Sequence, residues 1–279
     1  MTEAVKILTF IYIIFVIMLV LSGTLGSIVG EIVYYLAFAV PFAIGFYSSR
    51  NLKYNREEVA GVAEAPDTLL TINRSDIKKL MPLIAPTVMT VFLVSLVTTL
   101  ILSLLGVTSP TVENKNLILM LIQHALVPAV FEEALFRYIP MKLLMPYSKR
   151  WCIVYSAMCF ALIHCSFSQI PYAFVAGIIF MTVDLCIGSV WPSVILHFIN
   201  NAASVIWIKY CAGTVESLIF ISVMVILTIP SLVFVYKKRD VYRDMIKDAV
   251  AKGDTCSVTY APIALIIITC YIAAMNLFK

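Results

Sequence analysis

The sequence predicts an all-α, polytopic membrane bundle of about eight to ten transmembrane helices, and three observations carry that prediction. Hydrophobic residues make up 62% of the 279 and charged residues 13%, with a mean hydropathy of +0.99. A soluble domain holds about 45–50% apolar and about 25% charged residues. Apolar runs of about 18 residues or more recur along the whole chain, each long enough to cross roughly 30 Å of hydrocarbon. Lysines and arginines gather in a few short polar segments between those runs.

Nine candidate spans follow in order: 6–22, 30–48, 82–106, 116–138, 151–167, 169–187, 190–208, 215–236 and 260–278. The first, "ILTFIYIIFVIMLVLSG", has no small-residue cleavage site leading into a soluble domain, so it reads as a retained span rather than a signal peptide. The fourth is expected to stop at 138. The sixth and seventh are joined by almost nothing, short enough for either to be re-entrant. Polar segments 49–81 and 237–259 interrupt the pattern. With the N-terminus in the cytoplasm, 16 lysines and arginines lie inside, three outside (Lys115, Lys209, Lys279), and Arg137 within the membrane. The chain divides into N-terminal helices (1–115), a central unit (116–208) and C-terminal helices (209–279). Seven cysteines, none spaced as CxxC and most inside apolar runs, read as small buried hydrophobes.

Few ionisable residues fall inside the spans: Glu31, His124, Glu132, Glu133, Arg137, His164, Asp184 and His197. Charges at the bilayer centre cost about 2.5–3.5 kcal/mol each on insertion scales, so such residues face a bundle interior or a wet cavity. In the helix "AVFEEALFRYIP", Glu133 and Arg137 are i, i+4 neighbours and can pair. Glu132 stands about 100° around the axis from Glu133 and about 140° from Arg137, which leaves its carboxylate free for acid–base work. "FALIH" places His164 one turn after Phe160, and "HFINN" puts His197 and Asn201 on one face with Asn200 turned away. Asp184 and Glu31 read as interfacial residues near the ends of their spans, and His124 as a packing residue.

Several chemistries use residues of these types. A structural ion pair accounts for "EEALFR" alone but not for the histidines on two further helices. Ser166 and Ser168 lie near His164 in no nucleophile elbow. Asp184 has no second aspartate. Glu132, His164 and His197 form a possible zinc set, without an HExxH motif. Proton relay in a transporter also uses buried carboxylates and histidines. Water activated by a glutamate and a histidine fits the residue types best.

The ordered trio EExxxR (Glu132, Glu133, Arg137), FxxxH (Phe160, His164) and HxxxN (His197, Asn201) resembles the CPBP family of intramembrane glutamic proteases. That family includes type II CAAX prenyl endopeptidases and bacteriocin-processing or self-immunity proteins, and the short 164–197 interval is similar to its prokaryotic branch. The resemblance implies a four-helix catalytic core in which Glu132 and His164 activate water. It further implies that His197 and Asn201 hold the oxyanion, and that Glu133, Arg137 and Phe160 support the site. It implies an intramembrane endopeptidase with no cofactor and no nucleic-acid partner, in a cell membrane, its site open to the cytoplasm. The substrate would be a membrane-associated peptide or protein, either lipidated or a bacteriocin or signal-peptide precursor. The alternatives are a peptide-binding or self-immunity protein that does not cut, and a zinc-dependent intramembrane protease.

Overall fold

The computed structural model describes residues 2–25, 27–51, 67–105, 116–211 and 213–250. Among these the chain is helical: α1 (Thr2–Thr24), α2 (Ser27–Asn51), α3 (Arg74–Leu104), α4 (Leu117–Leu144), α5 (Lys149–Leu162), α6 (Ile170–Ile187), α7 (Trp191–Tyr210), α8 (Thr214–Lys237) and α9 (Arg239–Val250), with a 3-10 turn at Asp67–Leu70. The predicted all-α polytopic bundle is what forms. Six helices (α1, α2, α3, α4, α6 and α8) are long and apolar enough to cross a membrane. α5, at 14 residues or about 21 Å, is shorter than the hydrocarbon core. The expected span 260–278 lies outside the described residues.

Two boundaries differ from the expectation, each for a local reason. α3 begins at Arg74, eight residues before Pro82, because the Asp76 carboxylate accepts from the Asn73 N–H at 3.1 Å and starts the helix there. α4 runs past Pro140 to Leu144. It does so through two π-turns, Ile122–Leu126 and Ala134–Tyr138, each followed within two residues by a proline, Pro128 and Pro140. A proline ring collides with the carbonyl four residues back and has no N–H to bond it; a wider turn relieves the collision and leaves that carbonyl to another donor. Four residues before Pro140 is Phe136, whose carbonyl accepts from Ser156 Oγ on α5.

α1, α2 and the second half of α4 pack into an aromatic core where Tyr12 stacks on Phe136 at 5.2 Å and Phe15 meets Phe38 edge-on at 4.9 Å. Thr9 joins α1 to Tyr155 of α5 through a 2.8 Å hydroxyl hydrogen bond. α5 and α6 approach closely at Gly177, where a Cβ would stand 2.8 Å from Ala157 Cα. Gly188, at φ +77°, ends α6 in the left-handed conformation glycine adopts without strain. The α6–α7 link then tucks under the 3-10 turn: Ser189 is buried and Val190 N–H donates to the Leu69 carbonyl at 2.9 Å. Within polar segment 237–259, residues 239–250 form α9, where Tyr242 Oη donates to the Lys79 carbonyl at 3.3 Å.

Candidate active site

α4, α5, α6 and α7 enclose a cavity of about 330 Å³ lined by Glu132, Phe160, His164, His197 and Asn201, together with Tyr34 of α2. The residues of all three sequence motifs that carry candidate chemistry therefore meet in one space. Glu133 and Arg137 stand behind it, fully buried.

The two adjacent glutamates have the separate surroundings expected of them. Glu133 Oε2 lies 3.0 Å from Arg137 Nε, a close ion pair whose N–H is not aligned as a hydrogen bond. Its other oxygen, Oε1, accepts from His197 Nδ1 at 2.7 Å. Glu132 faces the cavity, with Oε2 3.9 Å from His197 Nε2. The Arg137 guanidinium is held by faces rather than by donors and acceptors: its carbon sits 4.3 Å from the centroid of Phe160 and 5.7 Å from that of Phe180. Phe160 also meets His164 at 5.3 Å and His197 at 5.5 Å, both edge-on. A single phenyl ring thus orients the arginine and both imidazoles.

Hydrogen bonding assigns the ring nitrogens. His164 Nδ1 lies 2.9 Å from the Phe160 carbonyl, which accepts and cannot donate, so Nδ1 carries the proton in the neutral ring and Nε2 keeps a lone pair. His197 Nδ1 likewise donates to the Glu133 carboxylate, leaving Nε2 directed at Glu132.

Three sequence readings change. Asn200 is not turned away: it is buried, lines the cavity, and its Nδ2 donates to Asn201 Oδ1 at 3.3 Å. Both neighbouring amides of α7 therefore line the cavity. Asp184 is not interfacial but fully buried, where Oδ1 accepts from the Ser193 N–H at 2.9 Å and caps the first turn of α7. Its spacing of nine residues from Ser193, across the α6–α7 link, is the signal that the interfacial reading passed over. His124 is exposed at the cavity wall rather than packed. The cavity runs from Glu132 back along α4 to Met120 and from His197 forward along α7 to Ile208, away from the end that holds the start of α1.

Glu132 is 12 residues, about 18 Å, from the end of α4 at Leu144, and His164 lies just beyond the 14 residues of α5. His197 is only six residues into α7, but α7 starts from a buried link rather than from the surface.

Among the described residues no group of three or more His, Cys, Asp or Glu is arranged to hold a metal ion. The zinc set of Glu132, His164 and His197 is thus present as cavity lining, with His197 Nδ1 engaged by Glu133.

The model of the type II CAAX prenyl endopeptidase Rce1-like family matches residues 114–203, the stretch from just before α4 to the middle of α7. No curated protein and no solved structure matches the chain.

Proposed function

From a chain that belongs to the type II CAAX prenyl endopeptidase Rce1-like family through residues 114–203, we propose an intramembrane endopeptidase that activates water with Glu132 and His164. The observation that carries the reading is the division of labour between the two glutamates. Glu133 is consumed by Arg137 and His197, while Glu132 presents its carboxylate to the cavity that His164 also lines.

The chemistry follows from the nitrogens. A water between Glu132 and His164 Nε2 loses a proton to the carboxylate, with the lone pair of Nε2 accepting its second hydrogen. The resulting hydroxide attacks the scissile carbonyl and forms a tetrahedral oxyanion. Asn201 Nδ2 and His197 Nε2 donate to that oxygen. For His197 to donate from Nε2 while Nδ1–H is bound to Glu133, the ring must be the imidazolium, and Glu133 supplies the counter-charge beside it. Glu132 then passes its proton to the departing amine as the C–N bond breaks. With Glu132 and Glu133 ionised, Arg137 and the imidazolium balance them, so the site carries no net charge into the membrane. The substrate is a membrane-associated peptide or protein, and the site needs no cofactor.

The test incubates purified protein in detergent with a quenched-fluorescent peptide library and identifies products by mass spectrometry. Cleavage by the native chain that persists in a chelator and is lost in Glu132→Gln supports the reading. Cleavage abolished by chelation and restored by zinc overturns it in favour of a metalloprotease, and binding of peptides without cleavage makes the protein a sequestering one.

A further inference from the structure

We propose that the site is entered from the non-cytoplasmic face of the membrane, and that its substrate is an uncharged internal segment of a peptide exposed on that face. The inference rests on the peptidase reading for the word substrate, but its geometry stands apart from it.

Charge polarises the molecule end to end. Of the 15 described lysines and arginines, Arg137 is buried in the bundle and Lys209 lies at the far end of α7. The other 13 cluster at one end: at the start of α1, the end of α2, the start of α3, the end of α4, the start of α5, the end of α8 and along α9. Contacts tie these termini together in space, through Tyr242 to the Lys79 carbonyl, Trp191 Nε1 to the Leu70 carbonyl at 2.8 Å, and Thr9 to Tyr155. A basic end of this kind remains on the cytoplasmic side during insertion.

The cavity opens the other way. Its lining passes from Glu132 to Gln123 and His124 near the start of α4, and from His197 to Ser204 and Ile208 near the end of α7. A second cavity of about 370 Å³ shares Tyr34, Gln123 and His124 with it and continues to Gly23 and Leu25 at the α1–α2 turn. Toward the basic end the way is filled: Leu135, Phe136, Ile139, Met141, Leu143 and Leu144 are all at most 1% exposed. A peptide reaching Glu132 through the described residues therefore arrives from the end that carries Lys209.

The walls say what that peptide is. The described lining residues of the two cavities include no lysine or arginine to receive a free C-terminal carboxylate, while Glu132 in one and Glu31 in the other are acidic. Tyr34, Gln123, Gln169 and Tyr172 offer aromatic faces and neutral hydrogen-bonding groups, which suit an extended backbone with uncharged side chains.

Two measurements in sealed membranes decide the matter. In a chain with its cysteines replaced, His124→Cys should react with a membrane-impermeant maleimide in intact cells, and Lys79→Cys only after permeabilisation. In parallel, a quenched-fluorescent peptide with blocked termini and no charged residues, added outside sealed vesicles, should be cut at least tenfold faster by right-side-out than by inverted vesicles. The reverse labelling pattern, or cleavage confined to inverted vesicles, overturns the inference while leaving the peptidase reading intact. Outside labelling of His124→Cys with no cleavage on either side upholds the orientation and removes the peptidase reading.

Discussion

Glu133 and His197, 64 residues apart in the chain, share a 2.7 Å hydrogen bond in the interior of the bundle. Through it the second glutamate of one motif reaches the histidine of another, with Arg137 on its opposite oxygen. The line from guanidinium to carboxylate to imidazole ends at Nε2, 3.9 Å from the carboxylate of Glu132. Arg137 therefore acts on the site at one remove, and its own position depends on the ring of Phe160.

Arg137→Lys tests that dependence. Lysine keeps the charge but not the flat guanidinium that lies against Phe160 and Phe180, a contact of about 0.5–2 kcal/mol depending on desolvation. The variant should melt several degrees lower than the native chain and lose turnover about tenfold, as read by thermal shift and peptide cleavage. Native stability and rate in Arg137→Lys would mean that charge alone is needed there.

Ser156→Ala removes the hydroxyl that bonds the Phe136 carbonyl, the acceptor left without a helical N–H by Pro140. An unsatisfied buried carbonyl costs about 1–3 kcal/mol, so the melting temperature should fall. Pro140→Ala in the same chain restores an N–H to the helix and should return part of the loss. A double variant no more stable than Ser156→Ala alone would sever the serine from the proline.

Gly177→Val addresses the α5–α6 contact. A Cβ there stands 2.8 Å from Ala157 Cα and 3.0 Å from its Cβ, so the helices must separate. Overpacking of this kind costs about 1–3 kcal/mol or more, and because His164 follows the end of α5 and Phe180 sits on α6, folding and activity should fall together. Ala157→Gly should recover yield, measured by size-exclusion chromatography of the double variant.

Much of this arrangement is legible in the sequence, and what is not has physical causes. Six of the nine spans, the Glu133–Arg137 pair and the separate orientation of Glu132 follow from helical spacing and from the cost of charge in lipid. Periodicity of 3.6 fails where the helix is not α: the π-turns around His124 and Arg137 shift every residue beyond them, and α4 continues through the second of them past Pro140. Asn200 was misplaced by assuming that one face alone of α7 meets the cavity. The Asp184 cap and the Glu133–His197 bond join residues whose adjacency arises only from tertiary packing. The direction in which the cavity opens needs the direction of all four helices at once.

The neighbouring amides predict a graded effect. Asn201→Ala removes a donor to the developing oxyanion and should lower kcat about 100-fold with little change in KM. Asn200 acts through Asn201, whose Oδ1 it holds at 3.3 Å so that Nδ2 turns to the cavity. Asn200→Ala should therefore lower kcat by less, about tenfold, and Asn200→Ser should recover part of it. Equal losses in kcat for the two alanine variants would make Asn200 an oxyanion donor in its own right.

The two glutamates separate most clearly when stability and turnover are measured side by side. Glu132→Gln keeps the size of the side chain and removes the base, so turnover should fall by roughly 10²-fold or more while the melting temperature holds. Glu133→Gln leaves Arg137 unpaired in a fully buried setting, where breaking an ion pair costs about 3–5 kcal/mol, so stability and activity should drop together. Arg137→Met added to Glu133→Gln removes the stranded charge and should return much of the stability. It should not return turnover, because His197 Nδ1 still lacks the carboxylate that balances its imidazolium. That dissociation distinguishes a bracing pair from a pair that also sets the charge of a catalytic ring: full recovery of rate in the double variant would confine Glu133 to bracing. A fully active, folded Glu132→Gln would remove Glu132 from the mechanism, and the glutamic-protease reading with it.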